Sequence, residues 1–210
     1  MINNYNDLPI GKYLDILKVT QDDTLEEINK QVEVIAILDD KTAEEVLNLP
    51  ITEYTQKASQ TFFLSTAPQK AGRKVAQSYV LNGVKLIPTQ NLNKITTAQY
   101  IDFQNYSKEA DKHLIEIIGT FLIPEGKTYG EGYDVADVYK LVSNYLSIVD
   151  ASLLSAFFLK QLRISIKATL IYFKIMMMFK KKKNRKEIMM RMKQIQIALQ
   201  QIGVGLPTLI

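Results

Sequence analysis

Val75-Ala76-Gln77-Ser78-Tyr79-Val80-Leu81-Asn82-Gly83-Val84-Lys85-Leu86-Ile87 is the clearest β signal in this chain of 210 residues. The Asn-Gly pair supplies the positive φ angles of a tight two-residue turn, and it separates two runs rich in β-branched, aromatic and other apolar residues. Strands are therefore expected at Val75–Leu81 and Val84–Ile87. A two-stranded hairpin is marginal by itself, so this one must pack on helices or on another chain. Helical signals surround it on both sides, which sets the fold class as mainly α with one small β-hairpin.

Upstream, Thr24-Leu25-Glu26-Glu27 and Thr42-Ala43-Glu44-Glu45 both read as capping boxes, in which a hydroxyl and a carboxylate satisfy free backbone donors at a helix start. They predict helices over 24–38 and 42–48. Leu25, Ile28, Val32, Ile35 and Ile37/Leu38 recur near helical spacing in the first, which marks it as half-buried. Asn48-Leu49-Pro50 ends the second, because the residue before proline disfavours the α region, and a third helix is expected from Thr52 to about Leu64. Pro68 to Gly72 is a break. Downstream of the hairpin, Thr96 or Thr97 caps a short helix through Tyr106. A further helix is expected over Lys108–Phe121, with Leu114, Ile117, Ile118 and Phe121 on one face. The glycine-containing loop from Pro124 to Tyr133 closes on Asp134, placed to cap a helix over Val135–Ile148.

From Ala151 to Leu199 there is neither proline nor glycine. That stretch predicts one long helix, or two bent near Lys180–Lys186, and a continuous helix would extend roughly 70 Å. Charge divides the chain at the same place. Residues 1–149 carry 14 basic and 20 acidic side chains, a net of −6, whereas residues 150–210 carry 12 basic and two acidic ones, a net of +10. The expected organisation is an acidic helical body over 1–149 and a long basic C-terminal helical arm over 150–210, with different partners for each.

Within the arm, Lys160, Arg163, Lys167 and Lys174 fall within about 60° on a helical wheel, a single basic stripe on an otherwise apolar helix. Spanning a bilayer would bury that stripe, so membrane insertion is not expected. Lys180, Lys181, Lys182, Lys183, Arg185 and Lys186 place six cations in seven residues. Such a run attracts phosphate backbones by counterion release without reading sequence, and it equally suits a solvated turn between helices. Beyond it Ile188, Met192, Ile195, Leu199 and Ile202 follow a 4,3,4,3 spacing, a two-heptad seam for helix pairing.

Catalytic chemistry finds little support. The chain has no cysteine and one histidine, His113, which removes cysteine nucleophiles and Cys/His zinc sites within the chain. Gly126-Lys127-Thr128 lacks the leading glycine of a phosphate-binding loop, with Phe121 standing in its place, and Gly130-x-Gly132 follows a helix rather than a strand. Asp22-Asp23 and Asp39-Asp40 lack calcium-loop spacing and read as solvated helix ends. Nothing in the spacing of Asp102, Glu109, Asp111 and Glu116 singles out an acid–base pair. His113 is expected on or near the surface of a helix. No catalytic, metal or cofactor residues are assigned. Met1 to Asp15 lacks the basic start and apolar stretch of a secretory signal.

Four stretches carry a family likeness: Leu8-Pro9-Ile10-Gly11-Lys12-Tyr13, Glu44-Glu45-Val46-Leu47-Asn48-Leu49-Pro50-Ile51, Thr97-Ala98-Gln99-Tyr100-Ile101-Asp102-Phe103 and the loop from Pro124 to Asp134. Through them the body, over about residues 1–175 by pattern, resembles proteins encoded in the structural gene blocks of tailed bacteriophages, especially the crAss-like phages of gut Bacteroides. The first two are similar to small helical tail-assembly-chaperone proteins. The basic arm is not a feature of those chaperones. The resemblance implies a non-enzymatic virion structural or assembly protein, made in the bacterial cytoplasm and built in multiple copies into the portal, head–tail connector, tail barrel or an internal layer. Its implied partners are copies of itself, other phage structural proteins and, through non-specific backbone contact, double-stranded DNA, with no cofactor. Two alternatives stand beside it. One is a tail-assembly chaperone absent from the mature particle, and the other is a nucleic-acid-binding module acting through the basic arm.

Overall fold

The computed structural model describes residues 1–68, 72–110 and 112–158, together with Lys160 and Met190. These residues form a mainly helical body with a small antiparallel sheet. In chain order the elements are α1 (Ile10–Thr20), α2 (Glu27–Asp39), α3 (Ala43–Leu47), α4 (Ile51–Gln60), β1 (Tyr79–Leu81), β2 (Val84–Pro88), α5 (Thr97–Tyr106), α6 (Leu114–Thr120), β3 (Leu122–Pro124) and α7 (Val135–Tyr145). Residues 148–158 are helical again and are called α8.

The hairpin forms where expected, with Asn82 at φ 47° and Gly83 at φ 80° making the turn. Its first strand is shorter than the sequence suggests. Val75–Ser78 is irregular, and the Ala76 amide donates to the Tyr79 hydroxyl at 3.2 Å instead of joining a ladder. The hairpin is completed inside the chain, because β3 pairs with β2 in the register Leu86↔Pro124, Ile87↔Ile123 and Pro88↔Leu122. One sheet face carries Tyr79, Leu81, Leu86 and Leu122 into the core, while Val80 is exposed on the other. Alternation of side chains across the pleat accounts for that split.

Three helix readings need correction. Of the two capping boxes only the second forms: Thr42 Oγ1 accepts from the Glu45 amide at 3.2 Å, and the Glu45 carboxylate accepts from the Thr42 amide at 2.7 Å. Thr24 instead turns back to Asp22 Oδ1, donating from its amide at 2.9 Å and its hydroxyl at 2.6 Å, so α2 starts at Glu27 behind an uncapped Glu26. Side chains of this kind compete for either role, and the carboxylate two residues upstream wins. Next, the segment expected as a helix from Lys108 divides into a 3₁₀ turn at Ser107–Glu109 and α6 from Leu114, with His113 standing at the N-cap position. Finally, α7 stops at Tyr145. Leu146 is extended (ψ 124°), its carbonyl accepts from the Ile10 amide at 2.9 Å, and the Ile148 amide donates to the Leu8 carbonyl at 2.8 Å.

That corner organises the body. The chain at Leu8–Ile10 clamps the α7–α8 junction, and Leu8, Ile10, Leu146 and Ile148 are all essentially buried. Each such side chain contributes on the order of 1.5–3 kcal/mol of burial. The main core continues from there through Leu38, Leu86, Leu114, Ile118, Phe121 and Val142, and it includes Ala151, Leu154 and Phe158 of α8. The charge boundary at Asp150 is thus crossed by continuous packing. A second, smaller cluster gathers Val32, Ile35, Ala36 and Val46 where α2 meets α3, with Tyr54 and Ala58 of α4 laid against it.

Candidate functional site

Of the cations singled out in the arm, Lys160 is described, and it is helical and exposed two residues beyond the buried Phe158. Arg163, Lys167, Lys174, Lys180, Lys181, Lys182, Lys183, Arg185 and Lys186 lie outside the described residues, as do the seam residues Ile188, Met192, Ile195, Leu199 and Ile202. Met190, between the first two of that seam, is helical and 61% exposed. Phe158 packs its ring 4.7 Å from Phe121, and Leu154 is fully buried, so α8 belongs to the core of the body.

Half of the body's acidic residues fall in one stretch. Residues 22–60, the α2–α3–α4 unit, hold ten carboxylates against three lysines, a net of −7 that exceeds the −6 of the whole of residues 1–149. Asp39 joins the helices of this unit. Rather than ending a helix in solvent, its side chain is only 10% exposed, with Lys57 Nζ of α4 at 2.8 Å and Lys41 Nζ at 3.5 Å. The hydrogen bond from Lys57 holds the Asp39 carboxyl below its usual range. Tyr54 adds a second tie, its hydroxyl donating to Gln31 Oε1 at 2.8 Å.

On this acidic unit lies an apolar groove of about 210 Å³, lined by Ile28, Val32, Val46, Leu47, Leu49, Ile51 and Tyr54. Val32 and Val46 are buried at 4% and 1%, whereas Ile28, Leu47 and Ile51 stand 54%, 66% and 72% exposed. Ile28 therefore departs from the reading of α2 as a helix with its apolar face covered. α4 contributes no buried residue at all, so its apolar side is only partly used within the body. Three large aliphatic side chains open to solvent on one groove form a single apolar patch rather than scattered exposure. The five-residue α3 is too short for periodicity to reveal this face, though Leu47 and Ile51 beside Pro50 were visible as apolar residues next to a break.

A second constellation is internally closed. Tyr129, 7% exposed on the glycine loop, donates to Asp102 Oδ2 of α5 at 2.8 Å and lies 3.2 Å from the Tyr139 hydroxyl of α7. Thr120 of α6 sits 3.3 Å from the same hydroxyl and its hydroxyl donates to the Glu116 carbonyl at 2.7 Å, and Gln99 Nε2 donates to the Thr120 carbonyl at 2.7 Å. Burial pushes the Tyr129 phenol up to about 12, with the Asp102 contact adding to it, and burial likewise raises Tyr106 and Tyr139. Phenols held neutral in this way fix the loop against three helices. Of the carboxylates considered from sequence, Asp102 is engaged here, Glu109 pairs with Lys112, Glu116 lies 3.5 Å from His113 Nδ1, and Asp111 is outside the described residues.

Among the described residues no three His, Asp or Glu side chains gather as a metal site, and no helix is long and apolar enough to cross a membrane. No family model, curated protein or solved structure matches this chain.

Proposed function

We propose that the protein is a non-enzymatic, multi-copy structural and assembly component of a tailed-phage particle, in which an acidic body carries a basic arm that contacts neighbouring subunits, with genomic DNA as a secondary contact. The observation that carries this reading is the rooting of the arm. Ala151, Leu154 and Phe158 are built into the body core, so the basic C-terminal segment, net +10 over residues 150–210, begins in packed helix rather than in a linker. A basic helical arm held this way suits fixed contacts with other subunits, and an exposed apolar groove on the oppositely charged side of the body supplies a second contact surface. The phage setting rests on the resemblance at Leu8–Tyr13, Glu44–Ile51, Thr97–Phe103 and the loop from Pro124 to Asp134.

Quantitative mass spectrometry of purified particles tests it. The protein should be present at a fixed number of copies per particle. Presence in infected cells with absence from finished particles would transfer the assignment to an assembly chaperone, and absence from both would remove the phage setting altogether.

A further inference from the structure

We propose that the groove on α2, α3 and α4 receives residues 188–202 of a second copy of this chain, so that copies join head to tail. This rests on the multi-copy reading above and names its contact. The groove offers Ile28, Leu47 and Ile51 to solvent above a floor of Val32 and Val46. The segment 188–202 contains no acidic residue and presents Ile188, Met192, Ile195, Leu199 and Ile202 at helical seam spacing. Seating such a row in an apolar trough is the helix-in-groove mode, in which side chains at i, i+4, i+7 and i+11 act as anchors.

Charge selects this occupant over a generic apolar helix. The groove's unit, residues 22–60, carries −7, while residues 180–202, the seam with its adjoining cationic run, carry eight basic residues and one acid, a net of +7. The remainder of the body, 1–21 together with 61–149, holds ten acids and 11 bases, and its most acidic stretch, residues 102–137, carries −5, so the groove's unit offers the arm the most negative charge. A groove at one end of the chain and its ligand at the other define a heterologous contact, which propagates into rings or filaments.

The test uses two variants of the full chain. Leu47→Glu with Ile51→Glu spoils the groove at side chains already 66% and 72% exposed, so the body should still unfold in a single cooperative step. Ile195→Glu with Leu199→Glu spoils the seam. Analytical ultracentrifugation should find wild type above the single-chain mass of 24.0 kDa and each variant at that mass. Association should weaken by at least ~100-fold, as expected for two anchors each worth a factor of ~10 or more. Mixed together, the two variants should form a pair of twice the single-chain mass, because one retains the groove and the other the seam. Wild-type mass retained by the groove variant, or no pairing in the mixture, overturns the proposal. A single-chain wild type, as docking of the arm in its own groove would give, overturns it too. These masses judge the contact alone, whereas particle content judges the multi-copy reading.

Discussion

Phe158 of α8 and Phe121, the residue that links α6 to β3, pack with ring centroids 4.7 Å apart and their planes tilted by 39°, both essentially buried. The contact crosses the point where the chain changes charge, so composition and packing disagree about where the body ends. Removing the ring leaves a cavity beside a fully buried partner, and Phe158→Ala should destabilise the body by about 3–5 kcal/mol. A fragment ending at Asp150 loses Ala151, Leu154 and Phe158 together and should fail to unfold cooperatively in urea, whereas one ending at Arg163 should do so. Equal cooperativity in both fragments would return the boundary to Asp150.

Two glycines mark close approaches with opposite prospects for rescue. A Cβ on Gly119 of α6 would meet the Tyr139 ring at 2.5 Å, and a Cβ on Gly11 of α1 would meet both Ser143 Oγ and, at 2.8 Å, the Ser143 carbonyl oxygen. Overpacking of this kind typically costs about 1–3 kcal/mol. Both Gly119→Ala and Gly11→Ala should lower the urea midpoint. Only the first should be partly rescued by shortening its neighbour, with Tyr139→Leu, since the obstacle at Gly11 includes backbone that Ser143→Ala leaves in place.

Two sequence-equivalent capping boxes allow a sharper comparison. Thr42 accepts from the Glu45 amide, while Thr24 is turned toward Asp22. Thr42→Ala should cost about 1 kcal/mol, as loss of an N-cap generally does, and Thr24→Ala should cost less than about half of that. Thermal unfolding of the two variants measures the difference, and equal losses would mean that both hydroxyls cap.

These cases show what the sequence could carry. The Asn82-Gly83 turn was legible because it demands two positive φ angles that few other pairs supply, and Thr42, Thr96 and Asp134 were legible because a cap is a local bond. β3 was not, since three residues ending in Pro124 are too few to alternate and owe their strand character to pairing with β2. α1 also escaped notice. It has no side-chain cap, and its start is set by the distant Leu146 carbonyl, although Pro9 followed by apolar residues at helical spacing was a usable signal. The groove was illegible for a related reason. Its residues look like ordinary core positions, and only the arrangement of α2, α3 and α4 leaves Ile28, Leu47 and Ile51 uncovered.

The tyrosine network sets the response to alkali. Tyr129, raised to about 12 by burial and by Asp102, and Tyr106 and Tyr139, raised by burial, remain protonated in the fold at pH values where unfolded tyrosines ionise. Above the unfolded value of about 10 the unfolded chain therefore binds fewer protons than the folded one, and stability must fall as pH rises. The contribution is complete below that value and is lost progressively towards pH 12. Tyr129→Phe removes one of the linked protons and leaves Asp102 without its donor. At neutral pH it should be less stable by about 1–2 kcal/mol. Above pH 10 its urea midpoint should fall less steeply than that of wild type. Lysine deprotonation is common to both proteins, so the difference in slope isolates the phenol, and parallel slopes would show that Tyr129 titrates as an exposed tyrosine does.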